Sequence, residues 1–394
     1  MDSMGVYIHI PFCVRKCVYC DFQSAPATRQ EQQKYVTALK REIINEAVKY
    51  AGYKVKTIFF GGGTPSILEA EEIAEILACL GKYYQIDAAA EITMEMNPGT
   101  ADREKLLKLQ KSGINRLSIG LQSAENAELK LLGRIHTYED FLQIYQQARE
   151  AGITNINIDL MSALPGQDMK SWARTLEMVA ALQPEHISAY SLIIEEGTHL
   201  YAKLDEYPPI PDEEEDRLID QATRQILAEK GYQRYEISNY AREGYECRHN
   251  CIYWQRGIRH MTDYVGFGLG AASLVNHVRW KNTEDMKQYL YALTGDKDIA
   301  YDKCNARRGD IKRDVHKLSQ NDWIEEFMFL GLRMMEGVSK QEFADSFGVE
   351  MSDIYGKVLC KWEKQGMLIQ SGDCVRLTDA GIDVSNMVLA DFLL

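Results

Sequence analysis

Over its first 235 residues the chain repeats one pattern about six times: a short apolar run of strand character, then a longer segment of helical periodicity. The runs are GVYIHI (5–10), TIFFG (57–61), EITMEMN (91–97), RLSIGLQS (116–123), NINIDLMS (155–162) and HISAYSLII (186–194). Between them lie helical patterns such as EAEEIAEILACLGKYY (69–84), ADREKLLKLQKSG (101–113) and TYEDFLQIYQQAREAG (137–152). Two of these end at a glycine just ahead of the next strand, where a helix C-cap belongs. Strands alternating with helices imply a parallel sheet with right-handed crossovers, so the expected fold class is α/β. Six units suit a partial (β/α)6 TIM-type barrel; a doubly wound sheet is the structural rival that the pattern leaves open. In both, ligands gather at the C-terminal ends of the strands.

After about residue 235 the pattern gives way to an aromatic and glycine-rich stretch, YEISNYAREGYECRHNCIYW and YVGFGLGAAS, then a polar, basic connector, KCNARRGDIKRDVHK (303–317). From about 320 the chain reads as helices followed by LIQSGDCVRLTDAG, a candidate β-ribbon, which together suggest a winged-helix-like unit. The expected organisation is a barrel over 1–235, a connecting region over 236–319, and a mainly helical, winged-helix-like domain over 320–394. That last segment carries 6 Lys/Arg against 13 Asp/Glu, a poor surface for a phosphate backbone, and reads as a lid or docking module. DEEED (212–216) reads as a solvated helix start, favoured by the N-terminal dipole.

The whole chain has a formal charge of −13, which disfavours non-specific binding to nucleic acid or anionic lipid. No apolar run approaches the roughly 18 residues needed to cross a bilayer. MDSMGVYIHIPFC lacks a charged segment followed by an apolar one, so no signal peptide is expected. A cytoplasmic, reducing location follows. There, nine cysteines in a large chain argue for metal ligands and buried thiols rather than a disulfide framework.

Three of the nine crowd into CVRKCVYC, at the C-terminal end of the first strand: Cys13, Cys17 and Cys20. Structural zinc wants four ligands, usually as two separated pairs, and no second pair lies at standard spacing. An iron–sulfur cubane is normally held by four thiolates. Three from one loop would leave one iron open to an exogenous ligand. Structural thiols or zinc remain the alternatives.

C-x3-C-x2-C with an aromatic, Tyr19, before the third cysteine resembles the signature of radical S-adenosylmethionine (SAM) enzymes. YIHIPFC (7–13) and the following DF (21–22) narrow the resemblance to the oxygen-independent coproporphyrinogen III oxidase group, and within it to the haem-chaperone branch, over nearly the whole length. The resemblance implies a [4Fe-4S] cluster on Cys13, Cys17 and Cys20. Its open iron would chelate SAM, and an electron would split the sulfonium to give a 5′-deoxyadenosyl radical. By the same resemblance Gly62, Gly63 and Thr64 of GGGTPS meet the methionine end of SAM. Tyr7, Tyr19, Glu95, Gln122, Arg134 and Asp159 complete the set around its ribose, adenine and carboxylate. Glycines at a strand end also let a backbone approach a ligand closely, or simply make a tight turn; acidic groups accept from ribose hydroxyls, and an arginine pairs a carboxylate.

His249, Asn250, Tyr253 and Trp254 of CRHNCIYW match the H-N-x-x-Y-W stretch that this branch associates with haem. Imidazole is a common haem-iron ligand, although a histidine satisfied by hydrogen bonds in an aromatic core reads equally from the residues. Cys247 and Cys251 could form a second metal site or ligate haem iron themselves. Cys79 falls on the apolar face of a helix and reads as core; Cys304, Cys360 and Cys374 carry no assignment.

The chain departs from the oxidases where they carry a fourth cysteine: that position is Phe22. It also begins only a few residues before the first strand, where the oxidases have an extension. Both features argue against decarboxylation of coproporphyrinogen III. The expected function is a cytosolic haem chaperone with cluster and SAM, delivering haem to membrane-associated haem proteins and itself peripheral to the membrane only through such an acceptor. Flavodoxin or ferredoxin is the expected class of electron donor, and a homodimer is compatible. The enzyme alternatives are radical chemistry, including methyl transfer, or the oxidase reaction itself.

Overall fold

The computed structural model describes residues 2–295 and 310–394. Residues 303–309 of the basic connector, with Cys304, therefore lie outside the described residues. The six runs form strands β1 (Asp2–Ile10), β2 (Tyr53–Gly62), β3 (Gln85–Met96), β4 (Arg116–Gln122), β5 (Ile156–Ser162) and β6 (His186–Ser191). All pair in parallel and in sequence order, 1-2-3-4-5-6. A doubly wound sheet would reverse its order part-way, so the order decides for the barrel.

Each crossover carries the helix that the periodicity predicts. Ala70–Tyr83, Arg103–Ser112 and Tyr138–Glu150 occupy the three segments named above, and the second ends on left-handed Gly113. Ile8, Phe60, Met94, Ile119 and Ile158 join Leu39, Ile76, Leu109, Phe141 and Trp172 of the helices in one buried cluster. Strand β4 is buried along its whole length, as a parallel strand covered on both faces must be. Strand β6 stops at Ser191 rather than running to 194, and the Leu192 N–H makes the final ladder bond to β5, to Ser162 O.

The barrel stays open. From residue 233 the chain continues the same sheet, where β8 (Asn239–Ala241) pairs with β6 and β7 (Gln233–Arg234) pairs with β8. At the other edge β9 (Asp263–Phe267) lies parallel to β1, followed by antiparallel β10 (Ala272–Val275), β11 (Val278–Asn282) and β12 (Lys312–Lys317). The acidic run starts the helix Glu213–Glu229, which Asp212 caps.

The last segment has its own apolar core around Phe327, Phe343, Tyr355, Trp362 and Val375. Helices Gln320–Gly331, Lys340–Phe347 and Met351–Lys364 precede the hairpin Leu368–Ser371/Cys374–Leu377, a winged-helix-like arrangement. It docks on the barrel unit through buried Glu326, which receives both Arg256 and Arg279.

Candidate functional site

Strand β1 runs out into the loop that carries the three cysteines. Cys13 N–H donates to Ala25 O (3.1 Å), Val18 N–H to Leu132 O (3.3 Å) and Leu200 N–H to Val18 O (2.8 Å), so the loop is tied to the rim at several points. All three thiols stay partly exposed. They line a cavity of about 260 Å³ with Tyr19, Gly62, Gly63, Glu95, Gln122, Arg134 and Asp159. Thr64 stands behind it, its hydroxyl 3.3 Å from Cys13 Sγ. The strand ends thus bring together residues spread over some 150 positions of sequence.

The two glycines answer first to packing. Gly62 sits at φ +108°, and a Cβ there would fall 2.4 Å from the His9 ring; one on Gly63 would fall 2.6 Å from Phe12 O. The chain is thereby pressed against the cysteine loop, with Gly63 N–H donating to Ile10 O and Thr64 N–H to Phe12 O. Gln122 holds a strained φ of +77° and accepts from the Tyr190 hydroxyl at 3.0 Å.

Glu95 is half-buried between the two cavities it lines: desolvation, then the neighbouring Asp159, pushes its carboxyl up to about 8, against one donated hydrogen bond from Gly62 N–H. Asp159 is also raised by burial, but Asn157, Ser118 and Ser188 donate to it and restrain the shift. Burial likewise raises the Cys20 thiol. Arg134 donates to Asn97 Oδ1 (2.5 Å), Gly120 O (2.6 Å) and Cys17 Sγ (3.6 Å), while its Nε has no partner.

Below this cavity lies a second, of about 180 Å³, lined by Tyr7, Phe59, Arg116, Asn157, His249, Asn250 and Tyr253 and sharing Glu95, Ser118 and Asp159 with the first. Its floor is the helix Arg248–Trp254, seated on Glu91, whose carboxylate accepts from Arg248 N–H and His249 N–H. His249 is only 1% exposed. Its Nδ1 lies 2.8 Å from Thr57 Oγ1 and its Nε2 lies 2.9 Å from the Tyr253 hydroxyl, so both ring nitrogens are engaged. Burial, and then Arg116, pushes its pKa down to about 3. Trp254 faces the other way and takes the Arg333 guanidinium over its ring at 4.3 Å. Cys247 is buried with its thiol pushed up to about 12, chiefly by desolvation; Cys251 is half-buried and its thiol is raised for the same reason.

The residues at the rim fit a cluster. Among the described residues no three His, Cys, Asp or Glu side chains converge on a single ion. A cubane instead takes each thiolate on a different iron, which suits three half-exposed thiols spread along one loop at a cavity mouth. Three residues that the sequence did not single out join the site. Asn97 and Tyr190 meet Arg134 and Gln122, and Arg116, 2% exposed with Nε unpartnered, reaches the lower cavity. Only the strand-end position of Asn97 in MEMNPG was available as a signal.

A model of the radical SAM superfamily matches residues 7–179, and one of the HemN C-terminal domain matches residues 318–384. The heme chaperone HemW of Bacillus subtilis is 35% identical over 391 residues, covering 99% of each chain. That of Escherichia coli is 34% identical over 100% of this chain and 99% of its own. The bovine mitochondrial radical S-adenosyl methionine domain-containing protein 1 is 31% identical over 99% of this chain and 87% of its own. The solved structure of E. coli coproporphyrinogen III oxidase (HemN), a radical SAM enzyme, superposes with a TM-score of 0.83 at 25% identity, over 100% of this chain and 90% of that one. End-to-end similarity at this level, on a barrel whose rim gathers the three-cysteine loop, places the chain in the HemW family of the radical SAM superfamily, whose members' cofactors are a [4Fe-4S] cluster and SAM.

Proposed function

We propose that the protein is a haem chaperone that holds a [4Fe-4S] cluster on Cys13, Cys17 and Cys20 and SAM in the rim cavity, binds haem, and passes it to membrane-associated haem proteins. The observation that carries this reading is the chain's end-to-end similarity to proteins named heme chaperone HemW, together with the three half-exposed thiols at the cavity mouth. Bound there, a cluster with one open iron supplies a chelation point for SAM and a single electron. The chain supplies the rest. Arg134 pairs the SAM carboxylate, Glu95 and Asp159 meet hydroxyls, Gln122 and Tyr19 line the nucleoside end, and Tyr7 backs the pocket from below. Gly62, Gly63 and Thr64 hold the loop against the methionine end. Desolvation and the neighbouring Asp159 favour the protonated form of Glu95, which donates as well as accepts.

His249, with Asn250, Tyr253 and Trp254, is the proposed haem site; iron reaches the His249 Nε2 only when that nitrogen leaves Tyr253. The units proposed for these tasks are 1–235, 236–319 and 320–394. A flavodoxin or ferredoxin is the proposed electron donor, and a homodimer the proposed assembly. No helix among the described residues is long and apolar enough to cross a membrane; a cytoplasmic location with membrane contact only through the acceptor is the reading adopted. An anaerobic haem titration of the reconstituted protein, followed by absorbance beside His249→Ala, tests the proposal. Saturation near one haem per chain, weakened in the variant, is expected. Absence of specific binding overturns it.

An enzymatic reading draws on the complete SAM cavity, but Phe22 in place of the oxidases' fourth cysteine weighs against decarboxylation. Incubation with reductant and SAM separates the two enzyme classes, since methyl transfer releases S-adenosylhomocysteine and decarboxylation removes carboxyl carbon from a porphyrinogen.

A further inference from the structure

Two of the three cysteines are joined through the rim by a continuous run of hydrogen bonds. Arg134 Nη1 donates directly to Cys17 Sγ at 3.6 Å, and Arg134 Nη2 donates to Asn97 Oδ1 at 2.5 Å. Asn97 Nδ2 donates to Thr64 Oγ1 at 2.8 Å, and Thr64 Oγ1 lies 3.3 Å from Cys13 Sγ. The directions are dictated by chemistry. A guanidinium only donates, so the amide oxygen of Asn97 must face it and the NH2 must face Thr64. Thr64 Oγ1 then accepts from Asn97, and toward a cluster-binding Cys13 thiolate, which can only accept, its own hydrogen goes to the sulfur. Each arm of the run then ends in a donor on a sulfur, Arg134 on Cys17 and Thr64 on Cys13.

The anchors on both sides are hydrogen-bonded to backbone. Thr64 N–H donates to Phe12 O at 2.7 Å, and the Asn97 carbonyl accepts from Thr100 N–H (3.2 Å) and its hydroxyl (2.6 Å), closing the NPGT turn. Arg134 is held on the opposite side by Gly120 O at 2.6 Å.

We propose that Asn97 is a positioning residue that ties Cys13 and Cys17 to one guanidinium, orienting both thiols for the cluster and setting the hydrogen bonds their sulfurs receive. This rests on the cluster reading above. Hydrogen bonds to cluster sulfurs help set the reduction potential, and outer partners of metal ligands set affinity. Because Arg134 is also the proposed partner of the SAM carboxylate, a bound carboxylate and both sulfurs draw on the same donors.

The test compares Asn97→Asp, Asn97→Leu and Thr64→Val after anaerobic reconstitution, with thermal unfolding of each apoprotein as the folding check. Asp at 97 still accepts from Arg134 but now also accepts from Thr64, turning that hydroxyl from Cys13; Leu cuts both connections. The expected results are a more negative cluster potential in Asn97→Asp and Thr64→Val, a larger shift in Asn97→Leu, and iron affinity in the last lower by about 10- to 100-fold in competition with EDTA. The double variant Asn97→Asp/Thr64→Val should match Thr64→Val alone, since both act on one arm. A further, additive drop in the double variant means that the new charge alone moves the potential, and it overturns the proposal, as do unchanged potentials in folded single variants. Failure of the unaltered protein to take up a cluster instead overturns the cluster reading itself.

Discussion

The two ends of the barrel lumen share Glu95, Ser118 and Asp159, yet they treat hydrogen-bonding capacity in opposite ways. At the rim three thiols remain partly open and the Arg134 Nε is unpartnered. At the floor the helix Arg248–Trp254 uses its groups internally: Glu91 satisfies its first N–H groups, and both nitrogens of His249 have hydroxyl neighbours. Two groups there are exceptions: Arg116, buried with Nε unpartnered, and Trp254, whose indole Nε1 has no partner. Buried polar groups without partners are costly. Spare capacity beside a cavity therefore distinguishes a ligand-facing group from one that maintains the fold, and residue type does not.

The contrast breaks most sharply at the cysteines. Cys17→Ala should remove the iron–sulfur absorbance of the reconstituted protein, whereas His249→Ala should leave it in place; a cluster retained in Cys17→Ala would sink the ligand assignment. Next in size is the effect of His249→Ala on stability. The change deletes a ring stacked on Phe59 at 5.2 Å and strands the Thr57 and Tyr253 hydroxyls, at a cost of about 2–4 kcal/mol in urea unfolding. A loss below about 0.5 kcal/mol would show that the floor is not held by this side chain.

A titration sharpens the comparison further. Glu95 binds its proton in the native state up to about pH 8, whereas the unfolded chain releases it near 4.5. The native state therefore holds more protons in that window, and stability falls as pH rises from about 4.5 to 8, by at most about 1.4 kcal/mol per unit for this group. Glu42, pushed up to about 7 by burial among Tyr289, Gly268 and Asn282, adds the same sign up to its own midpoint. Glu95→Gln should flatten the slope between pH 7 and 8 in thermal unfolding and leave the Glu42 part below 7; an unchanged slope above 7 would place the proton elsewhere. His249 carries the opposite sign: with a native pKa of about 3, stability gained between about 3 and 6.5 disappears as pH falls. The smallest effect sets the scale for a change that touches neither end. Asp212→Ala removes the cap of Glu213–Glu229 and should cost about 1 kcal/mol, with cluster and haem binding unaltered.

What was legible along the chain was local. The short apolar runs of β1 to β6, the 3.6-residue period of their helices, the glycine stop at Gly113, the acidic helix start at DEEED and the three cysteines on one loop all depend on neighbours a few positions away, which a sequence displays directly. Resemblance carried the reading further, to Glu95, Gln122 and Asp159 on the strands and to Arg134 on the loop after the helix Asn126–Leu131, which the barrel turns into one cavity wall. What no local pattern holds is partnership across the lumen. That Asn97 sits between Arg134 and Thr64 follows from neighbouring strand ends meeting at the rim. That Gly62 must lack a side chain is decided by the His9 ring one strand away. The orientation of the H-N-x-x-Y-W helix was equally unreadable: the same six letters suit an exposed haem ligand or a sealed floor, and only the packing of Thr57, Phe59 and Tyr253 around His249 makes it the second in this conformation. The sequence by itself determined which residues form the strands, helices and cysteine loop, because those choices follow from short-range periodicity and spacing. The tertiary structure alone decided which polar groups keep unspent hydrogen bonds, because that depends on contacts between residues brought together by the barrel.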